Sequence, residues 1–201
     1  MGYSKADKAE SHERIVRTAA MRFREKGIDG ISVADLMKEA GLTHGGFYRH
    51  FESREDLVAQ AVACALEAGE GNFARELGGE EGVNLTSYVE LYLSEYHCAH
   101  PGDGCAMSAL AGDMARAGPA ARALYANHVR KTADYLSSKM SPDVPETERR
   151  ANALYIVSTL AGAVSVARAT GDTELASEIL TVARERLVRD FARSETRPEK
   201  R

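Results

Sequence analysis

No run of apolar side chains in these 201 residues reaches the ~18–20 needed to cross a bilayer. No membrane partner is expected. The opening stretch MGYSKADKAESHERIV is polar and charged and has no apolar centre, so it does not read as a secretory signal. The expected location is cytoplasmic. Only three cysteines occur, Cys64, Cys98 and Cys105. They cannot all pair, and a reducing compartment disfavours pairing anyway. The sequence also lacks a GxSxG elbow, an HExxH helix, a P-loop and a dinucleotide fingerprint. Neither an enzyme nor a cofactor is expected. The segment from His97 to Cys105 holds two histidines and two cysteines besides Asp103, but not at any standard zinc spacing. Pro101 and Gly102 explain it as a turn between helices, and no metal is expected.

An excess of positive charge is missing too. The net charge is −4. Residues 1–60 carry 10 basic and 10 acidic side chains, and the rest of the chain carries 16 and 20. Charge alone makes no case for a nucleic-acid partner. That case needs a motif, with basic groups gathered on one face.

What the sequence does have is helical periodicity, with no convincing alternation of period two. Hydrophobic residues make up 44%, enough to bury a core. Ser11 is placed as the cap of a first helix, His12–Gly27. Ser32 caps a second, Val33–Ala40, and Thr43 caps a third that runs to about His50. Ser53 caps a fourth, reaching about Leu77, with Glu55 and Asp56 in its first turn where the helix dipole favours anions. The glycine-rich stretch 78–82 is a loop. Further helices are expected over Leu85–His97, Cys105–Ala117, Pro119–Met140, Glu146–Ala169 and Thr173–Ala192.

The second and third helices are joined only by Gly41-Leu42, which is a helix-turn-helix pattern. Val33, Leu36 and Met37 give the second helix an apolar face. Phe47 and Phe51, four apart, do the same for the third. That leaves His44, Gly45, Gly46, Tyr48 and Arg49 exposed. Two glycines weaken a helix by ~1 kcal/mol each relative to alanine, but they let backbone approach base edges closely.

The stretch from Ile15 to Leu57, above all GLTHGGFYRHFESREDL, resembles the DNA-binding domain of TetR/AcrR-type regulators. The resemblance implies an all-α fold. Residues 1–52 would form a three-helix DNA-binding domain, 53–193 an effector-binding and dimerisation domain, and 194–201 a tail. It implies phosphate contacts from Tyr48, His50 and Arg54, and base-edge positions at Thr43, His44, Gly45 and Gly46. Ser32 and Val33 would touch backbone at the start of the second helix. The implied partners are double-stranded operator DNA with a palindromic site, a second copy of the chain, and a small-molecule effector that releases a repressor. The helix from Ser53 to Leu77 would carry the change between the two parts.

Beyond residue 60 the sequence offers helices with apolar stripes. Tyr88, Tyr92 and Tyr96 recur at four-residue spacing on what reads as one helix face. Met107 and Met114 lie on the next helix, Tyr125 and His128 on the one after. Residue by residue, core packing accounts for them first; the resemblance adds a plastic, mostly apolar effector cavity between these helices. Cys105 has two readings as well. It is a small apolar residue at a helix start, or a thiol whose reactivity the helix dipole raises, as in an electrophile or redox sensor on the same fold. A helical binding protein or enzyme without DNA binding is a third class, disfavoured by the intact Tyr48, His50 and Arg54.

The stretch 151–169, ANALYIVSTLAGAVSVARA, is small or apolar around nearly its whole circumference. Such a helix needs cover on every side. In a chain of this size that means its own core on one side and a partner on the other. Leu154, Ser158, Ala161, Gly162 and Ser165, with Leu175, Ile179, Ala183 and Leu187 of the last helix, are the expected interface of an intermolecular four-helix bundle.

Overall fold

The computed structural model describes residues 5–77 and 84–192. Among these there are helices and turns and no strand. In chain order they are α1 (Lys5–Lys26), α2 (Val33–Glu39), a short 3-10 helix (His44–Arg49), α3 (Arg54–Glu76), α4 (Leu85–Tyr92), α5 (Glu95–Ala99), α6 (Ala106–Met114), α7 (Pro119–Ser138), α8 (Glu146–Thr170) and α9 (Thr173–Leu187). A π-helical turn, Val188–Ala192, follows α9. The expected 78–82 loop and 194–201 tail lie outside the described residues.

The chain divides into two compact units. One holds the residues up to Glu70 together with Pro101–Ala126; the other holds Gly71–His100 and the residues from Asn127 on. The divisions fall within α3, between α5 and α6, and within α7, and none lies at the 52/53 boundary that the sequence suggests.

In the first unit α1 buries Ile15, Ala19 and Phe23, α2 buries Leu36 and Met37, and α3 buries Leu57, Val58, Ala61 and Val62. Ser11 is not a cap. Helix α1 is already formed at Lys5, and Ser11 is buried inside it, its hydroxyl accepting from Arg14 Nη2. Ser32 and Ser53 do cap: their hydroxyls accept from the Asp35 and Asp56 amides, each at 3.1 Å. Gly41 turns the chain with φ +75°, a conformation cheap only for glycine, and the Leu42 amide closes the turn on Met37 O at 2.8 Å. Arg24 is buried between helices. Its guanidinium donates to the carbonyls of Ala20, Ala65 and Gly104, and desolvation holds its pKa below the usual arginine value.

In the second unit α8 packs along α9 and buries Ala153, Ile156, Val157, Leu160, Val164 and Ala167. Arg168 of α8 donates to the carbonyls of His97 and Cys98, satisfying the end of α5. Gly171, φ +63°, ends α8, and Asp172 caps α9 through the amides of Glu174 and Leu175. By length and mean hydropathy α8 is long and apolar enough to cross a membrane. Counting uninterrupted apolar runs misses this, because Asn152, Ser158, Thr159 and Ser165 break the run without lowering its average much. The helix buries one side, with Ala153, Ile156, Leu160 and Val164, against its own unit.

The tyrosine series does not lie on one helix. The chain breaks at Leu93-Ser94, and Ser94 caps α5 by accepting from the His97 amide at 3.1 Å. A serine that can satisfy a new helix start competes with continuing the old one. Tyr96 therefore belongs to α5, with 60% of its surface exposed, while Tyr92 of α4 is buried.

Candidate nucleic-acid interface

Thr43 has the extended backbone of a cap, but its hydroxyl makes no capping bond. The segment after it winds as a 3-10 helix rather than the expected α-helix, with Gly46 N donating to Thr43 O and His50 N to Phe47 O. Gly45 and Gly46 supply little helix propensity, so the tighter turn suffices here. Phe47 and Phe51 are buried and stacked at 5.4 Å, anchoring the segment from below. Thr43, His44, Gly45, Tyr48 and Arg49 are exposed, and Gly46 is half-buried. Tyr48 is 79% exposed, its ring edge-on to that of Phe47 at 5.2 Å between centroids. A Cβ added at Gly45 would meet nothing within 4 Å, whereas one at Gly46 would touch Met37 Cε at 3.6 Å.

Ser32 lies exposed at the start of α2 with Val33 half-buried beside it, and the Ser32 hydroxyl also donates to the Asp35 carboxylate. Arg54 sits at the first turn of α3. Its Nη2 donates to Ile28 O at 2.8 Å and pairs with Asp29 at 3.0 Å, tying α3 to the turn after α1. His50 is half-buried. Burial, followed by the nearby His12, Lys8 and Arg49, holds its pKa below the usual histidine range. Sequence reading missed Lys8 and His12. His12 stacks on Phe51 at 4.7 Å, and its Nε2 donates to Gln60 Oε1 at 2.7 Å, a bond spanning 48 positions that no local pattern announces.

The residues put forward for an effector fall in both units. In the first, Cys105 is the residue preceding α6 and is buried with Met107 and Met114. Tyr125 donates to Met107 O at 3.1 Å, and burial pushes its pKa up to about 12. In the second, Tyr88 and Tyr92 join Phe73 and His97 in an aromatic cluster with ring centroids 4.7–6.1 Å apart. The His97 Nδ1–H donates to Tyr92 O at 2.6 Å, and burial lowers its pKa to about 4, so the ring is neutral at pH 7. His128 is buried, its carbonyl taking the Thr132 hydroxyl.

On the α8–α9 pair, Leu154, Ser158, Gly162 and Leu175 are exposed, and Ala161, Ser165, Ile179 and Ala183 are half-buried. Tyr155, Val166 and Val182 add exposed apolar surface of 58%, 55% and 51%. Leu187 is only 1% exposed and spends its surface inside its own unit.

Residues 15–61 match the profile of the tetR family of bacterial regulatory proteins. Over similar stretches the chain is 33% identical to the HTH-type regulator YdgC of Bacillus subtilis, covering 29% of this chain and 30% of that one. It is 31% identical to IcaR of Staphylococcus aureus, a negative transcriptional regulator of the icaADBC biofilm operon, covering 27% and 30%. The match thus spans less than a third of these relatives' own length. Likeness of fold extends much further. NemR of E. coli in its reduced form superposes with a TM-score of 0.73 at 17% identity, covering 95% of this chain and all of that one. A TetR regulator of Chloroflexus aurantiacus does so with 0.74 at 24%, covering 92% and 98%. Residues 15–61 thus carry the helix-turn-helix segment of the tetR family of bacterial regulatory proteins, and the chain as a whole has the fold of TetR regulators.

Proposed function

We propose that the protein is a ligand-responsive transcriptional repressor, binding operator DNA as a two-fold dimer and releasing it when a small molecule binds. The observation that carries this reading is the exposed strip Thr43–Arg49 held over buried Phe47 and Phe51 within the family's DNA-binding motif. Exposed polar side chains with no hydrogen-bond partner among the described residues, and a glycine open to solvent, suit a major groove. In this reading Thr43, His44, Gly45 and Gly46 meet base edges, while Tyr48, Arg49 and His50 meet phosphate. Ser32 and Val33 approach the backbone from α2. Arg54 serves from the edge with the guanidinium nitrogens not spent on Ile28 and Asp29.

The uncovered α8–α9 face, with Leu154, Gly162 and Leu175, is proposed to take a second copy of the chain. Two copies suit a palindromic site, each head reading one half. The effector acts by binding better to an arrangement of the heads that does not fit DNA, so that occupancy lowers operator affinity by linkage. Functionally the chain divides at about residue 52, and its place of work is the cytoplasm. No metal, cofactor, catalysis or membrane is invoked. A reversible ligand is preferred to a thiol switch because Cys105 is buried and burial pushes the Cys64 and Cys98 thiols up.

Selection of bound duplexes from random DNA tests this function. A recovered sequence with two inverted half-sites is expected. A pool that stays random after repeated rounds would rule the reading out.

A further inference from the structure

We propose that Lys8, Arg49 and His50 form a single site for a phosphate of the DNA backbone, in which the two cations supply the charge and His50 donates a neutral N–H. The proposal rests on the DNA-binding reading above and adds α1 to the interface. Lys8 lies one helical turn before His12, on the same face of α1. The His12 ring is 6.1 Å from that of His50, and Arg49 is its chain neighbour. The groups whose charge acts on His50 are His12 and Lys8 from α1 and Arg49 from the 3-10 helix, and none of them is acidic. The carboxylate bonded into this region from α3, Asp56, is occupied: Oδ1 accepts from Gln60 at 2.8 Å and Oδ2 from the Glu52 amide at 3.1 Å. Gln60 in turn takes the His12 Nε2–H.

Lys8 and Arg49 are exposed and form no ion pair among the described residues. Like charges gathered without a counter-ion repel one another, and an anion relieves the repulsion. The tautomer of His50 follows from its surroundings. Nδ1 is buried and has no hydrogen-bond partner among the described residues. An N–H placed there would be buried without an acceptor, so the single proton of the neutral ring sits on Nε2. Burial and the neighbouring cations both disfavour adding a second proton.

The salt dependence of binding separates charge from neutral donation. Each phosphate neutralised contributes about 0.9 to the slope of log K against log salt. On a duplex recovered by selection, Lys8→Gln combined with Arg49→Gln is expected to reduce the slope by about 1.8 for two subunits, and Lys8→Gln alone by part of that. At pH 7.5 His50→Ala should weaken binding with the slope unchanged, and His50→Gln, whose amide N–H can replace Nε2–H, should recover most of the affinity. A wild-type slope in Lys8→Gln would remove α1 from the interface. A slope that falls in His50→Ala and His50→Gln would show a charged histidine and overturn the neutral donor. Failure of the wild-type protein to bind any selected duplex would instead count against the DNA-binding reading itself.

Discussion

The 3-10 segment and the α8–α9 face both leave glycine and large side chains uncovered, yet they are built for opposite partners. Around residues 43–49 what is exposed is polar: a threonine, a histidine, a tyrosine hydroxyl and an arginine, on a backbone bared by Gly45. The apolar Phe47 and Phe51 are turned under. On α8 and α9 the exposed groups are Leu154, Tyr155, Val166, Leu175 and Val182, with Gly162 between them. The first surface keeps its hydrogen-bonding groups for a wet, charged partner. The second keeps apolar area that gains from leaving water, at roughly 25 cal/mol per Å² buried. The difference shows that exposure alone does not identify an interface; the chemistry of what is exposed says which partner it fits.

The two glycines make the comparison testable, since a Cβ at either would meet nothing within 4 Å in the single chain. Substitution at either is therefore expected to act on the partner. The largest effect is expected from Gly162→Glu, which puts a charge into an apolar two-fold contact without water or counter-ion. It should weaken dimerisation by several kcal/mol, read by sedimentation, with the helical circular dichroism unchanged. Survival of a full-strength dimer would move the interface off α8. Gly45→Val comes next. It should abolish operator selectivity in gel shift by steric exclusion from the groove while the protein stays dimeric. Selectivity retained in that variant would show that another face reads the bases. The smallest effect is that of Tyr48→Phe, which loses one hydroxyl and should weaken selected and random duplexes equally, by about 1 kcal/mol. Loss confined to the selected sequence would make Tyr48 a base reader.

The same contrast governs how much could be read from the sequence. The head is legible because its devices are local: a serine three residues before an acid, a glycine where φ must be positive, two phenylalanines four apart. The family likeness rests on those residues. In the body the four-residue tyrosine spacing pointed to one continuous helix, and Ser94, which caps α5, carried the contrary signal. The helix-turn-helix also hid something, since the His12–Gln60–Asp56 chain joins residues 48 positions apart and then a single helical turn. Contacts made across the fold leave no period in the sequence. The approach of the His12 ring to that of His50 belongs to that class, as does the burial of Arg24 among three carbonyls.

The central claim is that two heads on one dimer read one operator. The most direct test is the stoichiometry and footprint of the saturated complex on a selected duplex. Two chains per duplex are predicted, protecting half-sites whose centres lie about 34–36 Å apart, one turn of DNA, or a multiple of that. A single chain saturating the duplex and protecting one half-site, with no loss of affinity, would contradict the account.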